Sequence, residues 1–249
     1  MKTRTTSNVF ISVAIVVCLS GCQSMYYAPN AQNVPMFKEK NEMRVSAAYT
    51  RIGDGADVPI DGFEIQSAYA IGKHFAIMAN GSKAGGTGSS YSYDNGEKSQ
   101  KTNLVEFGVG FFSPFHKDKL VFETYGGFGG GKIENHFKDA SDPSYDINSI
   151  IHFNRLFIQP SIAFSSPYFG AAFSMRAAVL VYDQKPEISL GTSYFLVEPC
   201  FTIRAGWKGF KFQSQLQLSN NLTDLSFPQY HFNFNTGICL TLPVKKTAK

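Results

Sequence analysis

From Tyr230 onward the chain sets Tyr230, Phe232, Phe234, Thr236, Ile238, Leu240 and Leu242 on one face and His231, Asn233, Asn235, Gly237, Cys239 and Thr241 on the other. Just before it, Phe210, Phe212, Ser214, Leu216 and Leu218 oppose Lys211, Gln213, Gln215, Gln217 and Ser219. A side-chain period of two over this length predicts strands with two unlike faces. The same pattern predicts eight earlier strands, at about 41–51, 61–72, 74–84, 100–112, 120–135, 148–164, 169–183 and 191–206. With 209–219 and 230–242 the total is ten, an even number, and most are long enough for a tilted strand to cross a bilayer. Helical periodicity is hard to find, and beyond residue 22 no apolar stretch could span as a helix. The expected fold is all-β, a transmembrane antiparallel up-and-down β-barrel over 41–243.

The connections add direction. Gly72-Lys73, Ser113 to Lys119, Ser165 to Tyr168 and Gly206 to Gly209 are short, whereas the segments near 52–60, 84–99, 136–147, 184–190 and 220–229 are longer and polar. Short and long alternate along the whole assignment. Barrels of the bacterial outer membrane carry short turns on the periplasmic side and longer loops outside. Both chain ends are therefore expected in the periplasm. Aromatics flank both sets of connections, Phe112, Phe115, Tyr168 and Trp207 at the turns and Tyr49, Phe63, Tyr182 and Tyr194 near the loops. A soluble lipocalin-like barrel or sandwich also alternates, but it points its apolar face inward. Two stretches resist registration: Ile150 to Gln159 changes phase around Asn154-Arg155, suggesting a bulge or a segment projecting above the bilayer, and Gly126 to Gly131 is almost all glycine. Such glycines permit strong coiling of the sheet or close approach of something in the lumen.

Composition agrees with a two-faced sheet. Glycine (22) and phenylalanine (23) are abundant and only 17% of residues are charged. The net charge of +4 comes from scattered or terminal basic residues, which does not suit a nucleic-acid partner. Cys200 and Cys239 fall two strands apart, too far for a disulfide, and are expected as free packed thiols.

The N-terminus addresses the chain. Lys2 and Arg4 precede a short apolar run, Val9 to Leu19, with the length of a signal-peptide core. It ends in Leu19-Ser20-Gly21-Cys22, which resembles the bacterial lipobox. The resemblance implies cleavage before Cys22 and acylation of its thiol, with palmitate-type chains anchoring the protein. Residues 1–21 are then a lipoprotein signal peptide, 22–40 a lipidated tether, and 244–249 a basic periplasmic tail. Two prolines, Pro29 and Pro35, and the lack of periodicity suit an extended tether.

The lipobox, the proline-containing tether and segments such as Asn33-Val34-Pro35-Met36-Phe37 and Asn154 to Pro160 resemble the small outer-membrane β-barrel lipoproteins. That resemblance covers the mature chain and implies a location in the cell outer membrane, anchored at Cys22. The chain departs from the usual aromatic C-terminus by running on to Lys245-Lys246-Thr247-Ala248-Lys249.

Charges recurring within the strands give the candidate site. Arg44, Arg176 and Arg204 with Glu64, Glu106, Glu123 and Glu198 are expected to meet in the lumen and pair with one another, because facing side chains nearly fill a small barrel. The alternative is a narrow polar pore for small solutes. A rim hydrolase would draw on His136, His152 and His231 with Asp139, Asp142, Asp146, Asp183 and Asp224, but no spacing pairs a nucleophile with a base. Asp54, Asp57 and Asp61, like Asp139, Asp142 and Asp146, miss the EF-hand pattern. No metal, cofactor or enzymatic activity is expected. Tyr91, Tyr93 and Tyr145 in the long loops could meet an envelope partner. The sequence predicts a monomer with a mostly filled lumen and a structural or loop-presenting role.

Overall fold

The computed structural model describes residues 24–53, 58–89, 96–138, 144, 146–183 and 191–243. The predicted signal peptide, Cys22, the basic tail 244–249, and Asp54, Asp57, Tyr91, Tyr93, Asp139, Asp142 and Tyr145 lie outside the described residues. Eleven strands follow in chain order: β1 (Glu42–Ile52), β2 (Ile60–Tyr69), β3 (Phe75–Ser89), β4 (Glu97–Phe115), β5 (Leu120–Lys138), β6 (Asp146–Ser165), β7 (Phe169–Tyr182), β8 (Ser193–Trp207), β9 (Phe210–Leu218), β10 (Asn220–Asn221) and β11 (Phe232–Pro243).

Each long strand pairs antiparallel with its neighbours, and the sheet closes where β1 meets β11, with Val45 opposite Leu240 and Tyr49 opposite Thr236. The two-residue β10 adds only a short pairing to β8. Ten strands therefore form the wall, as the alternation predicts. β4, β5 and β6 extend beyond their predicted ends on the loop side, so that part of the wall stands taller than β1, β2 and β9.

The faces settle the alternative architectures. Phe63, Val105, Phe107, Phe128, Leu156, Ile158, Phe173, Phe201 and Leu216 are exposed on the outside, while Arg44, Gln66, Asn80, Glu106, Gln159, Arg176, Thr202 and Gln215 are buried inside. This is a soluble barrel turned inside out. Apolar side chains left in contact with solvent over the whole circumference would be costly in water and are stabilised in hydrocarbon. Trp207, Tyr168, Phe169 and Phe115 remain exposed at the short-turn end, where an aromatic girdle belongs.

Both doubtful stretches are regular. β6 alternates outward and inward without interruption from Ile150 to Ser165, so the expected bulge is absent. The apparent phase change arose because Ile151, Phe153 and Phe157 are apolar residues pointing inward. Pairing of β6 with β7 skips Gln159 and Pro160 without changing register, as expected where a proline has no N–H to give. The glycines of β5 pair in full with β4 and β6, Gly127 lying between Gly108 and Phe157.

The outward face offers a direct test. Phe201 lies midway along β8, opposite Phe173 and Leu216 on its flanking strands. Phe201→Arg is expected to destabilise the barrel in bilayers by roughly 2–4 kcal/mol, whereas Phe212→Arg, three residues from the turn at Lys208-Gly209, costs about 0–1 kcal/mol. Urea titrations in lipid vesicles check the difference. Equal losses would mean that the outer face does not lie in hydrocarbon.

Candidate functional site

Residues 25–37 do not form a free tether. Every one of them is buried, and they run through the lumen from the loop end of the barrel to the turn end. At the loop end, the Met25 carbonyl accepts hydrogen bonds from Gln100 (3.1 Å) and Asn135 (3.0 Å). Tyr26 N–H donates to the Pro228 carbonyl, Tyr182 donates to the Tyr26 carbonyl at 2.7 Å, and Tyr230 N–H donates to the Tyr27 carbonyl. At the turn end, Lys38 Nζ donates to the Ser165 carbonyl and Asn41 N–H to the Ala70 carbonyl. A short reversal at Asn41, with a left-handed φ of 67°, leads directly into β1.

An extended strand with no sheet beside it has unpaired backbone groups, and burying those groups unpaired is expensive. Here the wall side chains pair them. Ala31 N–H donates to Glu64 at 2.7 Å, and Gln66 donates to the Ala31 carbonyl. Asn233 serves the Pro29 carbonyl, Gln215 that of Gln32, and Gln159 that of Asn33, at 2.7, 2.7 and 2.8 Å. The N–H groups of Met36 and Phe37 each donate to one oxygen of Glu123, both at 2.9 Å. Two successive N–H groups can converge this way because Met36 adopts a left-handed φ of 59°. Arg44 donates to the Met36 carbonyl at 2.9 Å. The amide- and acid-rich lumen face is thus a ladder of side chains substituting for strand neighbours.

Midway along the lumen lies a charged centre. Arg155 donates through Nε to Glu106 at 2.9 Å, and its Nη groups bond Glu106, the Tyr27 hydroxyl and Asn30. Tyr27 donates to Glu198 at 2.7 Å, and Asn30 donates to Glu106 at 2.9 Å. Arg176 is held by Gln159 and Asn30 and lies 3.7 Å from Glu198 and 3.8 Å from Glu106. Two guanidinium groups and two carboxylates balance, with Tyr27 and Asn30 inserted between them, and all are buried. Charges removed from water persist only when paired and hydrogen-bonded in this manner.

The seven predicted lumen residues all face inward and are buried, but they form no single mutual network. Glu106, Arg176 and Glu198 meet at the centre. Glu64 and Glu123 bind backbone N–H groups of the inner segment, Arg204 donates to Gln213 at 2.7 Å, and Arg44 divides between Met36 and Glu42. Several of them take partners from the buried segment 25–37 rather than from one another. Arg155, Tyr27 and Asn30 are the members that sequence reasoning missed.

Two inward-facing aromatics complete the packing, and the glycine run makes room for them. A Cβ at Gly127 would fall 2.5 Å from Phe157 Cζ and 2.3 Å from the Phe107 carbonyl, and one at Gly131 would fall 2.8 Å from Phe153 Cζ. The lumen-approach reading of these glycines therefore holds. Phe153 in turn packs edge-on to Tyr27, with ring centroids 6.2 Å apart. Gly127→Ala is expected to destabilise the barrel by about 1–3 kcal/mol through overpacking, read as a lowered urea midpoint.

The rim histidines separate. His136 Nε2 lies 2.8 Å from Asp146 on the loop side, where both are well exposed. His152 is exposed, and His231 contacts the Ser219 carbonyl and Gln229. Among the described residues no cluster of three or more histidine, cysteine or acidic side chains could hold a metal. Cys200 and Cys239 are buried and free.

A closed antiparallel wall of ten long strands, apolar outside and polar inside, is that of an outer-membrane β-barrel. Ail, the attachment invasion locus protein of Yersinia pestis, is a solved structure to which the chain is similar. Identity is 12%, the match covers 82% of this chain and 99% of that one, and the TM-score is 0.35. That likeness carries no functional argument. No protein-family model matches the chain, and no curated protein matches it.

Proposed function

We propose that this chain is a lipid-anchored outer-membrane protein whose lumen is closed by its own N-terminal segment, and that it serves the envelope by presenting its external loops. In this reading it is neither a channel nor a catalyst. The observation that carries it is the burial of residues 25–37 along the lumen, with wall side chains already paired to their backbone. A solute crossing the barrel would have to displace that segment or squeeze past the centre formed by Arg155, Arg176, Glu106 and Glu198.

Anchoring rests on Leu19-Ser20-Gly21-Cys22. The Cys22 thiol gives up its proton and forms a thioether to the diacylglyceryl carbon of a phospholipid, whose phosphate headgroup departs. Water then cleaves the Gly21–Cys22 peptide bond. Several acyl chains, at roughly 0.8 kcal/mol per buried methylene, hold the product in a membrane.

Planar-bilayer recording tests the closed lumen. The intact protein should give a quiet baseline, and discrete, reproducible conductance steps would overturn the reading. Incubation with peptide and lipid substrates should yield no product above a buffer control.

A further inference from the structure

We infer that acylated Cys22 lies at the cell surface, with its acyl chains in the outer leaflet of the outer membrane, rather than in the periplasm-facing leaflet that a periplasmic N-terminus implies. The inference rests on the proposed anchoring and on long loops facing outward; the direction of the inner segment is independent of both.

That direction follows from partners at each level. Met25 bonds Gln100 and Asn135 near the loop ends of β4 and β5, and Tyr27 bridges in parallel to Gln229 in the connection between β10 and β11. Tyr26 packs against Phe227 in the same connection, with the rings tilted by 40°. Asn30 and Ala31 reach the mid-lumen residues Glu106, Arg155 and Glu64. Met36 and Phe37 sit on Glu123 near the turn end, and Phe37 packs on Phe112 at 5.6 Å. The chain thus descends through the barrel before it turns into β1.

Chain length then confines Cys22. It precedes Ser24 by two residues, which span at most about 7 Å when fully extended. A tilted strand gains roughly 2.5 Å of height per residue, so reaching the turn end from Ser24 requires the full run down to Phe37. No two-residue segment can return there, because the lumen beside it is occupied. From the loop end, a few residues plus a diacylglyceryl group suffice to lay the acyl chains over the rim.

The wall chemistry supports a permanent passage. Glu64, Glu123, Gln159, Gln215 and Asn233 each serve backbone atoms of the inner segment from different strands. That arrangement holds one extended polypeptide and leaves both its ends outside the barrel, on opposite sides of the membrane.

The test uses three full-length variants expressed in a bacterium with an outer membrane: an epitope between Gln23 and Ser24, one within 139–145, and one after Lys249. Antibody binding is compared in intact and permeabilised cells. Labelling with an alkyne fatty acid, lost in Cys22→Ala, reports acylation. The expected result is that the first two epitopes are stained in intact cells and the third only after permeabilisation, with the first variant still acylated. Staining of the loop epitope but not the N-terminal one in intact cells would overturn the inference and leave the loop orientation standing. Intact-cell staining of the Lys249 epitope alone would overturn the orientation, and the surface anchor with it. A surface-stained N-terminal epitope on a protein that takes up no fatty acid also overturns it, by removing the lipid. Heat-shifted migration on gels confirms that each variant is folded.

Discussion

Arg155→Ala is expected to destabilise the protein by about 3–5 kcal/mol, more than any other single truncation in the lumen. Arg155 bonds Glu106, Tyr27 and Asn30 and lies 3.8 Å from Glu198, with no solvent exposure on either side of its ion pairs. Removing it leaves two carboxylates facing Arg176 alone and takes away a partner of the Tyr27 hydroxyl. The measurement is the urea midpoint in lipid vesicles at constant slope. Because the cost is that of an orphaned charge, Arg155→Met combined with Glu106→Leu should lose much less than the two single changes added together, by about 0.5–3 kcal/mol of coupling. A loss below about 1 kcal/mol in Arg155→Ala would indicate that water enters freely to solvate Glu106, and that the lumen is open.

Deleting residues 25–37 is expected to turn a silent barrel into a conducting one. The wall contributes polar side chains at every level, so an emptied lumen would hydrate rather than collapse. The deletion also removes Tyr27 and Asn30 from between the central charges. Discrete steps in planar bilayers from the deletion variant, against a flat trace from the intact chain, are the predicted outcome. A gentler change gives a second reading should the deletion not fold. Glu64→Ala with Glu123→Ala removes the acceptors of Ala31, Met36 and Phe37 N–H groups, which should loosen the segment and produce brief openings. Silence in both folded variants would show that the wall side chains alone block the barrel.

The wall was legible in the sequence because a strand of two unlike faces writes its period directly into the order of residues. Tyr230 to Leu242 and Phe210 to Ser219 are examples, and their registers agree with the pattern. The contents of the lumen were harder to read. Arg155 was hidden because Ile151, Phe153 and Phe157 make the inner face of β6 look like an outer one. Tyr27 and Asn30 were hidden because a solvated linker and a strand isolated inside a barrel both lack periodicity and both tolerate proline. One signal was available. From Gln23 to Phe37 the chain carries no charge, then reads Lys38-Glu39-Lys40. A linker in water is seldom so neutral over such a length, whereas a segment buried among amides has reason to be.

β1 begins only a few residues after the inner segment ends, and it completes the circle with β11, the last of the described strands. The first and last parts of the chain must therefore meet around a stretch that already occupies its place, much as a ring can be welded shut around a rod but not slipped over a rod with fixed ends. Contacts of such large sequence separation form late and slowly. Until the weld is made, the acid- and amide-lined channel stands open along one edge, and whatever helps this protein into its membrane has to keep that edge from pairing elsewhere.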